Sequence, residues 1–222
     1  MLLGIYNDLY QHFGSQHWWP AQTPFEVIVG AILTQQTSWN NVEKAIVNLK
    51  REKILDPKKL REIESEKLET LIKPSGYYRQ KTKKLKNFMG FLFERHGGKL
   101  EELFGQSIEQ IRMELLSVKG IGKETADSII LYAANKPTFV IDAYTVRAFN
   151  RIGVTKEKDY ESLKKFFEDN LPKDVNLFNE YHALIVALGK NYCRTNPICG
   201  KCPLRERCDY ALHSYDGAKR KK

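Results

Sequence analysis

Between two runs of helical periodicity the chain reads Leu115-Leu116-Ser117-Val118-Lys119-Gly120-Ile121-Gly122-Lys123-Glu124-Thr125-Ala126. Leu115 and Leu116 close one helix and Thr125-Ala126 lie in the next. Two glycines flanking one apolar residue permit a tight turn with positive φ, and Ile121 can fill the gap between the helices. With no side chains on Gly120 and Gly122, backbone N–H groups at the start of the second helix can approach a phosphate, and Lys119 and Lys123 add charge beside it. Such a contact positions the nucleic-acid backbone and carries no base information. The plainer reading is a helix–turn–helix connection capped by glycines. The whole pattern, from Val118 through Gly-Ile-Gly to Thr-Ala, is more specific than a bare GxG.

The rest of the chain supports an all-α fold. Apolar residues recur at helical spacing in 2–13, 25–33, 40–49, 66–72, 82–93, 108–116, 125–134, 143–152, 160–169 and 177–188. Ser107, with Gln110 three residues on, predicts a capping box. Phe139-Val140-Ile141 is the one strand-like fragment, and it is too short to build a sheet. The net charge of +9 points to a polyanionic partner, nucleic acid being the commonest; solvated lysines are the plainer account. The N-terminus places Asp8 where a signal peptide needs an apolar run. Apolar stretches reach only about ten residues, too short to span a bilayer. The expectation is an intracellular, cytoplasmic, nucleoid-associated protein, with no membrane partner and a monomeric state.

Two further features carry chemistry. Asp142 follows an apolar run and opens a helix, sixteen residues after Ala126; by itself it would be read as an N-cap. The four cysteines, Cys193, Cys199, Cys202 and Cys208, give C-x5-C-x2-C-x5-C. That clustering argues against disulfides and for a tetrahedral thiolate centre, either zinc or iron–sulfur.

Hairpin, Pro-containing spacer and helix-opening Asp142 together resemble the helix-hairpin-helix DNA glycosylases of the endonuclease III superfamily, over nearly the whole chain. The resemblance implies two helical domains with damaged double-stranded DNA held at the cleft between them. The six-helix domain with the hairpin would span residues 22–132. The second would combine 1–21 with 133–211 and end in the cysteine loop. Residues 212–222 would form a basic, disordered tail. The resemblance makes Asp142 the catalytic aspartate, a role that suits a carboxylate beside a sugar developing positive charge. It also favours a [4Fe-4S] cluster over zinc, although the first cysteine gap is five residues where relatives usually have six. Arg194, Lys201, Arg205 and Arg207 surround those cysteines and could meet phosphates.

Bifunctional relatives carry a lysine nucleophile two residues after the second hairpin glycine. Here that position is Glu124, and Lys123 is displaced by about 100° around a helix. Glu124 cannot form an imine, so the expected enzyme removes the base without efficient lyase activity. His17-Trp18-Trp19-Pro20, the run from Phe25 to Trp39 and Lys73-Pro74-Ser75-Gly76-Tyr77-Tyr78 resemble 3-methyladenine DNA glycosylase III more than endonuclease III. The matching base-stacking positions are Trp18, Trp19 and Trp39, with Lys190 as a pocket lysine, and Gln36 matches the residue that wedges into the duplex. A base alkylated at N3 or N7 is cationic, and tryptophan faces attract a cation by roughly 0.5–2 kcal/mol. Core or interdomain packing is the plainer role for the tryptophans, and helix capping for Gln36. Ala31 stands where the adenine-mismatch branch has a catalytic Glu. The alternatives are a uracil or thymine mismatch glycosylase on the same scaffold, and a DNA-binding or damage-sensing protein without turnover.

Overall fold

The structure, a computed structural model, describes residues 1–215. Its helices run in the order α1 (Leu2–Phe13), α2 (Pro24–Leu33), α3 (Trp39–Arg51), α4 (Pro57–Glu62), α5 (Ser65–Ile72), α6 (Tyr78–His96), α7 (Leu100–Phe104), α8 (Ile108–Ser117), α9 (Lys123–Ser128), α10 (Ala143–Ile152), α11 (Tyr160–Asn170) and α12 (Val175–Asn191). A wider helical turn, Ile129–Ala133, extends α9, and short tight turns carry the cysteine segment. No strand forms among the described residues. Tyr210–Tyr215 is a further helical turn, so residues 212–215 of the expected tail are helical. The remainder, with the basic run Lys219-Arg220-Lys221-Lys222, lies outside the described residues.

The chain divides into two compact units, Trp19–Lys136 and Met1–Trp18 with Pro137–Lys222. The first is built around α2. Thr23 caps it by accepting from Glu26 N at 3.1 Å, Pro24 supplies a preset first residue, and every residue from Phe25 to Leu33 is buried. A helix apolar on all sides belongs in a core. Its one acid, Glu26, is 5 % exposed and meets Lys50 Nζ of α3 at 2.7 Å.

The helices flanking the hairpin are pinned to each other. Arg112 of α8 donates twice to the fully buried carboxylate of Asp127 in α9, at 2.8 and 3.2 Å. From α6, His96 Nε2 meets Glu114 Oε2 of α8 at 2.7 Å. Ser107 does cap α8, accepting from Gln110 N at 3.2 Å, but the Gln110 amide turns to Glu114 instead of closing the capping box.

The second unit has an aromatic core. Phe139 stacks on Phe167 of α11 at 4.2 Å, and Phe149, Phe178 and Tyr181 pack edge-on around the pair. Phe139-Val140-Ile141 is buried and extended but has no strand partner; the Phe139 N–H goes to Glu168 Oε1 at 2.8 Å. It delivers the chain to the N-terminus of α10. Helices α10 and α12 pack closely because Gly189 leaves room for Tyr144. A Cβ at Gly189 would stand 2.2 Å from Tyr144 Cδ1 and 2.9 Å from its Cβ, too near the root of that side chain to be relieved by rotation.

Candidate DNA hairpin, carboxylate and cysteine site

The hairpin turns on one left-handed glycine, not two. Gly120 has φ 104°, whereas Gly122 is extended at φ −98°, ψ −180°, and serves as the N-cap of α9. A Cβ on Gly122 would meet nothing within 4 Å, so its backbone faces open space that a phosphate can enter. Ile121 is 5 % exposed and fills the gap beneath the turn. Lys119, Lys123 and Glu124 are exposed.

The carbonyl side of the same turn is tied inward. Asn87 of α6 donates to Lys119 O at 2.9 Å; Gln35 Nε2 donates to Gly120 O at 3.2 Å and to Thr125 Oγ1 at 2.9 Å. Lys84 of α6 holds the Gln35 carbonyl oxygen and lays its stem on Gly120. With these two carbonyls engaged and the Ile121 N–H donating to Val118 O at 3.0 Å, the turn is held in one conformation. Gln35 is the neighbour of Gln36, which is exposed on left-handed backbone at φ 55°. A second anchor is Lys81, 2 % exposed, whose ammonium donates to Leu33 O at the end of α2, at 2.9 Å, and to Ser75 O of the turn Lys73–Ser75, at 2.6 Å; burial lowers its pKa to about 8.

Asp142 does cap a helix, as its sequence position alone suggests, but with one oxygen. Oδ1 accepts from Thr145 N at 2.7 Å and Thr145 Oγ1 at 2.9 Å. Oδ2 faces His182 Nε2 of α12 at 3.6 Å, beyond the length of a well-formed hydrogen bond. The side chains are 11 % and 8 % exposed. Burial works to raise the Asp142 carboxyl, but His182 and the Thr145 donors outweigh it and leave it below the ordinary carboxylate value. The group is therefore an anion at neutral pH.

The tryptophans do not form one set within a unit. Trp19 and Trp39 lie in the first unit, edge-to-face at 5.3 Å, and Tyr132 tilts against Trp19 at 5.2 Å. All three are half-buried against that unit's core, which holds their rings in place. Trp18 belongs to the second unit, where Lys190 Nζ lies 5.8 Å from its ring centroid, near the limit of a cation–π contact. Tyr132 and His182 were invisible as site residues in the sequence. The available signal for His182 was a polar residue inside the apolar stretch of α12, Tyr181 to Leu188.

Cys193, Cys199, Cys202 and Cys208 line one small cavity of about 20 Å³, with Ala148, Ile152, Leu188 and Leu204 as its apolar wall. No three His, Cys, Asp or Glu side chains among the described residues are gathered tightly enough to hold a single metal ion as they stand. Burial pushes the Cys202 thiol up to about 11 and Cys208 in the same direction. From α10, Arg147 Nε donates to Cys193 O at 2.7 Å, and Arg151 reaches Cys193 Sγ at 3.6 Å and Thr195 O at 3.0 Å. The cysteine segment is thus fastened to the helix that Asp142 caps.

A glycine turn between pinned helices, among described residues that form helices and no strand, is a helix-hairpin-helix arrangement. The chain belongs to the HhH-GPD superfamily of base excision DNA repair proteins, whose pattern matches residues 29–173. It is 50 % identical over 211 residues to "Putative DNA repair glycosylase MJ1434" of Methanocaldococcus jannaschii, covering 94 % of this chain and 96 % of that one. It is 31 % identical to endonuclease III of Thermotoga maritima, covering 95 % and 93 %. Among solved structures it is similar to H. pylori 3-methyladenine DNA glycosylase (MagIII) bound to 1,N6-ethenoadenine, at TM-score 0.77 and 30 % identity over 85 % of this chain and 97 % of that one. A non-covalent endonuclease III–DNA complex shares the fold at TM-score 0.82 and 21 % identity, covering 100 % and 99 %. No helix among the described residues is long and apolar enough to cross a membrane.

Proposed function

We propose that this protein is a monofunctional DNA glycosylase that hydrolyses the N-glycosidic bond of alkylated purines such as 3-methyladenine. The observation that carries the reading is Asp142: a buried carboxylate, held as an anion, with one oxygen locked in a helix cap and the other directed away from it. As the bond between the base nitrogen and C1′ breaks, positive charge develops on the sugar, and a fixed anion there stabilises the transition state. Water adds its oxygen to C1′ and gives up a proton, which Asp142 or solvent accepts. The alkylated base, cationic before cleavage, takes the bond's electron pair and leaves neutral, so it needs little acid catalysis.

The substrate class is supported by the aromatic faces of Trp18, Trp19 and Trp39, by Tyr132 beside Trp19, and by the similarity to a 3-methyladenine glycosylase. Lys190 over Trp18 would flank the base. Gln36, exposed on a left-handed backbone, suits the wedge that fills the space a flipped base vacates. Glu124 in the lysine position of bifunctional relatives argues for base removal alone. The test is a panel of duplexes carrying methylated adenine, uracil or a G·T mismatch, with base release measured, alongside borohydride trapping on abasic DNA. Release of methylated adenine without a trapped complex is the expected result. Uracil or thymine release in its place would establish a mismatch glycosylase, and efficient trapping would overturn the monofunctional reading. Failure on every duplex would leave a damage-sensing protein.

Lys119, Gly120, Ile121, Gly122 and Lys123 form the phosphate contact in this reading. Replacing Gly120 with alanine forces a side chain onto φ 104° and sets its Cβ 2.5 Å from Lys84 Cγ. The left-handed strain alone costs on the order of 1–2 kcal/mol. Affinity for undamaged duplex, read by fluorescence anisotropy, is expected to fall roughly tenfold or more while helicity is retained. Wild-type affinity would show that DNA does not meet this turn.

The cysteine ring fits a [4Fe-4S] cluster. Four cysteines lining one cavity supply the four thiolates that such a cluster needs, and the similarity to endonuclease III favours it over a single zinc. Cys193, Cys199, Cys202 and Cys208 would hold it, and its contribution would be structural, bracing the segment tied to α10.

A further inference from the structure

We propose that His182 is a positioning residue for the reaction: from α12 it engages Oδ2 of Asp142 and fixes the carboxylate's rotation about the helix cap. This rests on the reading of Asp142 as the catalytic carboxylate.

Four observations lead to it. First, Oδ1 of Asp142 is committed to Thr145 twice, so the cap alone would leave the plane of the carboxylate free to rock about that oxygen. His182 Nε2 stands on the side of the other oxygen, 3.6 Å from Oδ2, where it can limit that motion. Second, His182 interrupts an apolar helix face: Tyr181, Leu184 and Ile185 are fully buried and Ala183 nearly so. Burying an imidazole among such residues is unfavourable unless a partner compensates it, and Asp142 is a charged group that faces it. Third, the two helices that carry these side chains approach each other closely. The close approach of α10 and α12 depends on Gly189 beneath Tyr144, which sets the element carrying His182 against the start of the helix that Asp142 caps. Fourth, the separation is long enough that Oδ2 is not saturated. A carboxylate offers about four acceptor positions, and Thr145 takes two of them on Oδ1. A water poised for C1′ can share Oδ2 with His182.

A positioning residue should affect the chemical step, not the grip on DNA. His182→Leu is expected to lower the single-turnover rate of base release by roughly 10- to 100-fold, with the Kd for abasic-analogue duplex within about twofold of wild type. His182→Gln keeps a donor in the same direction and is expected to recover most of the loss, which a merely structural role would not produce. In the Asp142→Asn background, His182→Leu should cost nothing further, because the group it orients is gone. An undiminished rate in His182→Leu, or equal losses in rate and in Kd, would overturn the proposal, as would full additivity in the double variant. If His182→Leu does not fold, His182→Gln decides: a loss as severe as that of Asp142→Asn, in a folded protein, also overturns it. A fully active Asp142→Asn would instead remove the catalytic reading on which the inference stands. An inactive Asp142→Asn beside a fully active His182→Leu would sink the inference alone.

Discussion

Asp142→Asn is expected to lose base release by about 10²- to 10³-fold or more while remaining folded and bound to DNA. Asparagine is nearly isosteric and is itself a favoured N-cap, so its side-chain oxygen can keep the bonds to Thr145 N and Thr145 Oγ1. What disappears is the negative charge. Single-turnover release from methylated duplex, with affinity measured in parallel, separates the two effects; retained release would disprove the assignment. The same substitution has a pH signature. Asp142 ionises more readily folded than unfolded, because His182 and Thr145 outweigh the burial that opposes them. Its ionised form therefore stabilises the fold above the unfolded value of about 3.9, and that contribution drains away as pH falls through the lower folded value. Wild type and Asp142→Asn should differ in Tm at neutral pH and converge in strong acid.

Much of this was legible in residues because the signals were local. Gly120-Ile121-Gly122 between two periodic runs located the hairpin, four cysteines within sixteen residues marked a segment whose cysteines line one cavity, and helical spacing identified the long helices correctly. The family resemblance drawn from these motifs agrees with the superfamily match over residues 29–173. The misses have physical causes. Helices α4 and α7, six and five residues long, are too short to establish a period. The hairpin's second glycine turned out extended, since one left-handed residue suffices to reverse the chain. Which side of a capping aspartate matters, and that Oδ2 looks at His182, depends on α12 returning more than thirty residues later. Tyr132 lies on a widened turn where helical spacing no longer predicts the exposed face. Trp18 and Trp19 are adjacent in sequence yet fall in different units, and no periodicity marks that division.

Replacing a cysteine should have the largest effect on the second unit. Cys199 and Cys208 are 6 % and 9 % exposed and sit among Ala148, Ile152, Leu188 and Leu204. Burial favours the neutral thiols of Cys202 and Cys208. A cluster would bind them as thiolates, releasing protons as it forms. It would also close the segment whose start is fastened to Arg147 and Arg151 of α10. Structural metal sites contribute up to roughly 10 kcal/mol or more, and in a chain of this size each kcal/mol moves Tm by about 2–4 °C. Cys202→Ser is therefore expected to lose iron and visible absorbance and to lower Tm by on the order of 10 °C or more. It should also lose base release, because the slackened segment frees the helix that Asp142 caps. Iron content, the visible spectrum and thermal melting check the cluster; release from methylated duplex checks the coupling. A colourless wild type loaded with zinc would replace the cluster by a single ion. Full activity in an iron-free, folded Cys202→Ser would show that α10 holds Asp142 in place without the cysteine segment.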